Sequence, residues 1–141
     1  MRSKEKDYIY FKKANNCASF VGRIGGRQDI NLADGCTIGN TIHEIAHAVG
    51  MVHEQQHYDR DKYINIHWRN IHDSFKSEFG KLSFHKSRTS KFDLNSIMMY
   101  ASWAYSKNGK PTMTTRDDKT FTVQRRGLSF GDEKIIDQIY N

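Results

Sequence analysis

Residues 43–54 read His43-Glu44-Ile45-Ala46-His47-Ala48-Val49-Gly50-Met51-Val52-His53-Glu54. This is H-E-x-x-H-x-x-G-x-x-H with a glutamate after the last histidine, and it constrains the fold more than any other stretch of the chain. Five specified residue types at ordinary usage coincide by chance in roughly 1 in 100,000 chains of this length. On a helix of 3.6 residues per turn, His43 and His47 stand one above the other on one face. Both imidazoles can then reach one metal ion at about 2.0–2.1 Å. Glu44 projects beside that ion, where a bound water belongs. Gly50 can take φ > 0 without a Cβ clash, so the helix can end there and the chain can double back to present His53. Three neutral imidazoles leave one coordination position open, the pattern of a catalytic zinc site and not of a closed structural one.

The chain has 141 residues, which predicts a single domain over residues 1–141. Hydrophobic residues make up 37%, normal for a globular protein, and no apolar run approaches the length of a membrane-spanning helix. No secretory h-region follows Met1, where Arg2 to Asp7 is charged. The net charge of +6 invites a polyanion partner. However, Lys and Arg are scattered, and no basic stripe or nucleic-acid-binding motif exists, so no nucleic-acid partner is expected. Cys17 and Cys36 can form one disulfide, which suggests an oxidising compartment, or can remain as two buried thiols.

Local patterns outline the rest. Asp7 to Lys13, Ser19 to Ile24 and Gln28 to Leu32 read as three short strands. A helix runs from Ile38 to Val49 with Thr37 as its N-cap and Ile42, Ile45, Ala46 and Val49 as its apolar face. Ile64 and Ile66 suggest a short extended segment, and Asn70 to Phe79 a helix. Lys81 to Thr120 reads as loops and short strands with a tight turn at Asn108-Gly109. Ser129 and Asp132 fit a capping box before a terminal helix carrying Ile135, Ile136 and Ile139. His67, His72 and His85 sit at no ligand spacing and read as surface or satisfied core histidines.

The motif resembles that of the metzincin clan of zinc peptidases, and Glu54 after the third histidine points to the astacin family. Four further blocks carry the resemblance in family order. His53 to Asp61 (HEQQHYDRD) is similar to the family's HEQxRxDRD, with His57 in place of the first arginine. Ser96-Ile97-Met98-Met99-Tyr100 resembles its S-x-M-x-Y Met-turn. Cys17 to Arg23 (CASFVGR) resembles C-x-S-x-V-G-R, and Gln124 to Asp132 resembles QRxxLSxxD.

The resemblance implies an α+β zincin-like catalytic domain. A small twisted sheet and the zinc-binding helix would lie above a cleft, over an irregular lower lobe with a C-terminal helix. It implies one Zn2+ held by His43, His47 and His53, Glu44 as general base and Tyr100 as oxyanion donor. Met98 would form a floor beneath the metal, with Gly50 and Glu54 as structural support. Cys17 and Cys36 would be disulfide-bonded. Ala18, Ser19 and Phe20 would pair with an extended protein or peptide substrate, and Arg125 or Arg126 would favour an acidic side chain on it. The family setting is secreted or extracellular. A family domain normally begins well before Met1, so the chain is expected to lack the N-terminal part, and with it the usual partner of Glu54. That carboxylate must then be solvated or rebonded. Two other classes compete: a zinc-binding module without turnover and, on charge alone, a polyanion-binding domain.

Overall fold

The computed structural model describes residues 4–83 and 91–141. Alternating aromatic and β-branched side chains build the first sheet. In it β1 (Tyr8–Lys13) runs parallel to β3 (Arg27–Leu32), with Tyr8 opposite Arg27 and Lys13 opposite Leu32. The short β2 (Ala18–Ser19) pairs antiparallel to β3 on its other side and forms an edge. Gln28 and Ile30 of β3 are buried, and the sheet packs against the main helix through β2 and β3.

The expected strand from Ser19 to Ile24 is cut short, and its start shifts to Ala18. Gly22 takes φ +75 and donates its N–H to the carbonyl of His47 at 2.8 Å, which turns the backbone out of the sheet. The Gln28 side chain then replaces ladder partners. Its Nε2 donates to the carbonyls of Phe20 and Gly22, and its Oε1 accepts from the Ile24 N–H.

Helix α1 (Ile38–Ala48) is closed at both ends by local chemistry. Thr37 Oγ1 accepts from the Asn40 N–H, and Asn40 Oδ1 accepts from the Thr37 N–H, a capping box with asparagine at the third position. At the other end Gly50, at φ +107, donates to the His47 carbonyl, and Met51 donates to the Ala46 carbonyl. These two bonds are a Schellman motif, and the apolar contact that accompanies it is present as Ala46 and Met51, both buried in one cluster. The buried face of α1 differs from the expected one. Gly39, His43, Glu44, Ala46, His47 and Ala48 are buried, whereas Ile42, Ile45 and Val49 are half-buried. Polar site residues occupy the inward face because the helix lines a cleft as well as a core.

Two buried clusters lie on either side of the Met-turn. The upper one contains Ala46, Met51, Ile97, Met98 and Ile135 of the C-terminal helix α2 (Phe130–Tyr140). The lower one contains Ile64, Ile71, Phe79, Phe92, Met99 and Met113. Consecutive residues Met98 and Met99 thus serve different cores, and both are fully buried.

Among the described residues the lower lobe has little regular structure. A two-stranded ladder joins β4 (Ile64–Ile66) to β5 (Met113–Thr115). The expected helix over Asn70 to Phe79 is instead a pair of 3₁₀ segments, Trp68–Asn70 and Asp73–Phe79, separated at Ile71. Ile71 is extended and pairs with Ser106, and the His72 N–H donates to the Tyr105 carbonyl. Tertiary partners therefore claim the backbone groups that a continuous helix would need. The turn at Asn108-Gly109 forms with Gly109 at φ +73.

Candidate metal centre

The centre is built on α1 and the turn that ends it. His43, His47 and His53 each offer a nitrogen, and these atoms lie within 4.8 Å of one another. The ring centroids of His43 and His47 are 4.7 Å apart, and those of His47 and His53 are 4.5 Å apart. His43 Nδ1 lies 2.8 Å from the Ile97 carbonyl and His47 Nδ1 lies 2.9 Å from that of Met51. A carbonyl only accepts, so each Nδ1 carries the proton and each Nε2 keeps its lone pair. His47 Nε2 and His53 Nε2 face each other at 3.0 Å.

Burial lowers all three histidine pKa values, His43 to about 4 and His53 to about 2, with the neighbouring histidines adding to the effect on these two. Neutral imidazoles with convergent lone pairs are the donor set that a zinc ion takes, so these residues fit the metal.

Glu44 is buried, and its carboxyl accepts a hydrogen bond from the Ser19 N–H of edge strand β2. Burial pushes its pKa up to about 7. Tyr100 is half-buried, with its ring centroid 4.3 Å from that of His53 and its hydroxyl bonded to Tyr105. Burial and that bond raise its pKa above the ordinary tyrosine value.

The Met-turn is held by Asp132, which is fully buried. Its carboxylate accepts from Ser96 Oγ at 2.6 Å, the Ile97 N–H at 2.9 Å and the Ser129 N–H at 2.8 Å. The expected capping box of α2 therefore does a second job: it clamps Ile97, whose carbonyl orients His43. The Met98 carbonyl in turn accepts from the Glu54 N–H at 3.1 Å, and Met98 shares the upper core with Ala46 of α1. The Glu54 carboxyl is buried and rebonded, accepting from the Asp93 N–H at 2.7 Å. Burial raises its pKa to about 8 against that bond, with Asp93, Asp132 and Asp59 adding to the rise.

A cleft of about 450 Å³ opens over the histidines. Ala18 and Ser19 line it beside Glu44, as does Arg125, whose guanidinium donates to the Met99 and Gln124 carbonyls. Phe20 lies off this cleft, 64% exposed, in a neighbouring groove with Ala18 and Ser19. Arg126 is exposed and is not among the cleft residues. A disulfide joins Cys17 to Cys36 and ties β2 to the approach of α1. Of the other histidines, His67 meets Thr114 Oγ1 at 3.0 Å and His72 caps the Ser74 N–H. His85 lies outside the described residues.

Three cleft-related residues have no motif to announce them. Gly39 has the arginine segment pressed against it: a Cβ there would stand 1.7 Å from the Arg125 carbonyl oxygen. The only signal for it is a glycine in a helical first turn, where alanine is otherwise preferred. Glu78 and Tyr105 also line the cleft, from segments without a recognisable pattern.

A helix carrying paired histidines, a third histidine beyond its glycine stop and a methionine turn beneath define a zinc peptidase fold of the metzincin type. The chain matches the family model described as Astacin, a peptidase family, over residues 1–141. It is 43% identical over 138 residues to zinc metalloproteinase nas-13 of Caenorhabditis elegans, covering 96% of this chain and 31% of that protein. It is 39% identical over 139 residues to blastula protease 10 of Paracentrotus lividus, covering 94% and 23%. The structure superposes on high choriolytic enzyme 1, a hatching enzyme zinc-protease from Oryzias latipes, with a TM-score of 0.89 and 33% identity over 99% of this chain and 72% of that one. Myroilysin, at 21% identity and a TM-score of 0.63, shares the fold. The chain belongs to the astacin family. It spans at most about a third of the length of the first curated relatives it matches.

Proposed function

We propose that residues 1–141 form one catalytic core of a zinc-dependent endopeptidase, acting on protein or peptide substrates. The observation that carries this reading is the convergence of three neutral histidines beside a buried glutamate in an open cleft. His43, His47 and His53 would hold one Zn2+, which when bound supplies Lewis-acid polarisation of the scissile carbonyl and acidifies the attacking water. Glu44, oriented by the Ser19 N–H, takes the proton of that water as it attacks and delivers it to the departing amine. Tyr100 donates its hydroxyl to the developing oxyanion, after leaving Tyr105. Substrate lies extended along Ala18 and Ser19 as an added strand, with Phe20 at the outer rim. Of the two arginines, Arg125 is the one that pairs with an acidic substrate side chain in this reading, supported by its presence among the cleft residues. The disulfide and the secreted setting of the resemblance support an oxidising, extracellular compartment.

Zinc content and quenched-peptide cleavage, measured for the chain and for Glu44→Ala, test the reading. The expected result is one zinc in both and cleavage only by the unaltered chain, the loss being about 10²–10⁴-fold. Zinc in both with cleavage in neither makes the chain a zinc-binding module. Absence of zinc from both removes the reading altogether.

A further inference from the structure

The cleft carries a negative charge that the chemistry above leaves unused. Glu78, one residue before the end of the 3₁₀ segment Asp73–Phe79, lines the cleft with Tyr100 and Tyr105. Its backbone is fixed, because Gln55 Nε2 donates to its carbonyl at 3.0 Å. The residue is half-buried, and the nearest lysines in sequence do not pair with its carboxylate: Lys76 pairs with Asp73, and Lys81 pairs with Asp61. Among the described residues no ion pair includes it.

Beside it stands a fixed aromatic face. The Tyr105 ring stacks on Phe75 at 4.2 Å and 21°, and both keep about two-fifths of their surface exposed. Tyr105 sits at φ 55, a left-handed conformation costly for a tyrosine, and its carbonyl is held by the His72 N–H. A half-buried carboxylate next to an exposed aromatic face is the chemistry that recognises an ammonium or guanidinium group, by charge pairing and by cation–π attraction. An apolar or acidic substrate side chain would instead leave Glu78 further desolvated or repelled.

We propose that Glu78 and Tyr105 form a subsite for a basic side chain of the bound peptide, a lysine or an arginine. This inference rests on the peptide-binding reading above. With Arg125 beside the first turn of α1, the cleft then selects two charges of opposite sign along one substrate.

Binding separates this inference from the hydrolytic reading. Fluorescein-labelled neutral peptides with one arginine walked along the sequence, each matched by a glutamine control, are titrated by anisotropy against the zinc-loaded Glu44→Gln chain. The expected result is one position where arginine tightens binding about tenfold over glutamine. Adding Glu78→Gln brings that ratio to within about twofold. Tyr105→Leu lowers it about threefold, and serves if Glu78→Gln does not fold. A chain with no arginine-preferring position, or a preference that survives both substitutions, overturns the subsite. Cleavage of the neutral peptides by the unaltered chain checks the hydrolytic reading separately. Arginine preference without any cleavage leaves the subsite standing on a peptide binder.

Discussion

The two helices, α1 and α2, and the described residues between them, 54–83 and 91–128, satisfy their backbones in different ways. At the helix ends the bonds are local. Thr37 and Asn40 cap one helix start, Ser129 and Asp132 cap the other, and Gly50 closes α1 within its own last turn. Between the helices, side chains reach to carbonyls outside the regular ladders, over separations from 5 to 41 residues. Arg60 Nη1 donates to the carbonyls of Gln55 and Phe79, Asn70 Nδ2 to that of Pro111, and Thr112 Oγ1 to those of Ser102 and Ala104. Among the described residues, few buried side-chain polar atoms are left without a partner, which is what folding requires. The difference teaches where rigidity comes from. The helix that carries His43 and His47 is closed by local bonds, whereas the ring of His43 is oriented from Ile97, far along the chain.

Asp132 joins the two parts, and its loss is the largest way to break the contrast. Asp132→Ala leaves Ser96 Oγ, the Ile97 N–H and the Ser129 N–H without their acceptor, at about 4 kcal/mol in all, read as the shift in urea midpoint. Zinc affinity is expected to fall about 10–100-fold as well, because Ile97 orients His43. Unchanged zinc affinity in a folded Asp132→Ala chain would show that the clamp does not reach the metal.

The paired methionines sharpen the division. Met98→Ala and Met99→Ala are each expected to cost about 3 kcal/mol by denaturant unfolding. The double variant should cost their sum to within about 0.5 kcal/mol, because the two side chains pack in different cores. A larger deviation would mean one continuous core. Gly50→Ala forces a Cβ into φ +107 and is expected to cost about 1–2 kcal/mol. Thr37→Ala removes one cap bond for about 1 kcal/mol, with its effect on thermal midpoint confined to a few degrees.

Legibility follows the same line. The Thr37 N-cap, the Ser129–Asp132 capping box and the glycine stop were readable because each depends on residues close together in the chain, whereas the reciprocal bond from Asn40 to Thr37 appeared only in the structure. The nearness of His43, His47 and His53 was readable for the same reason, since the three lie within eleven residues of one another. The strand expected over Ser19 to Ile24 failed because Gly22 is drawn to His47, a partner in another element. The helix expected over Asn70 to Phe79 failed because Ile71 and His72 bond to Ser106 and Tyr105. Glu78, Tyr105 and Gly39 carried no usable pattern, because their roles arise from proximity alone.

The order of residues alone thus dictated the helix that carries His43, Glu44 and His47 and the glycine that stops it, because short-range geometry is set by covalent spacing and backbone sterics. Only the folded chain decided which arginine lines the cleft, where Glu54 finds a donor and how Asp132 steadies His43. Those outcomes depend on desolvation and on contacts between distant segments, and both come into being only when the chain has packed.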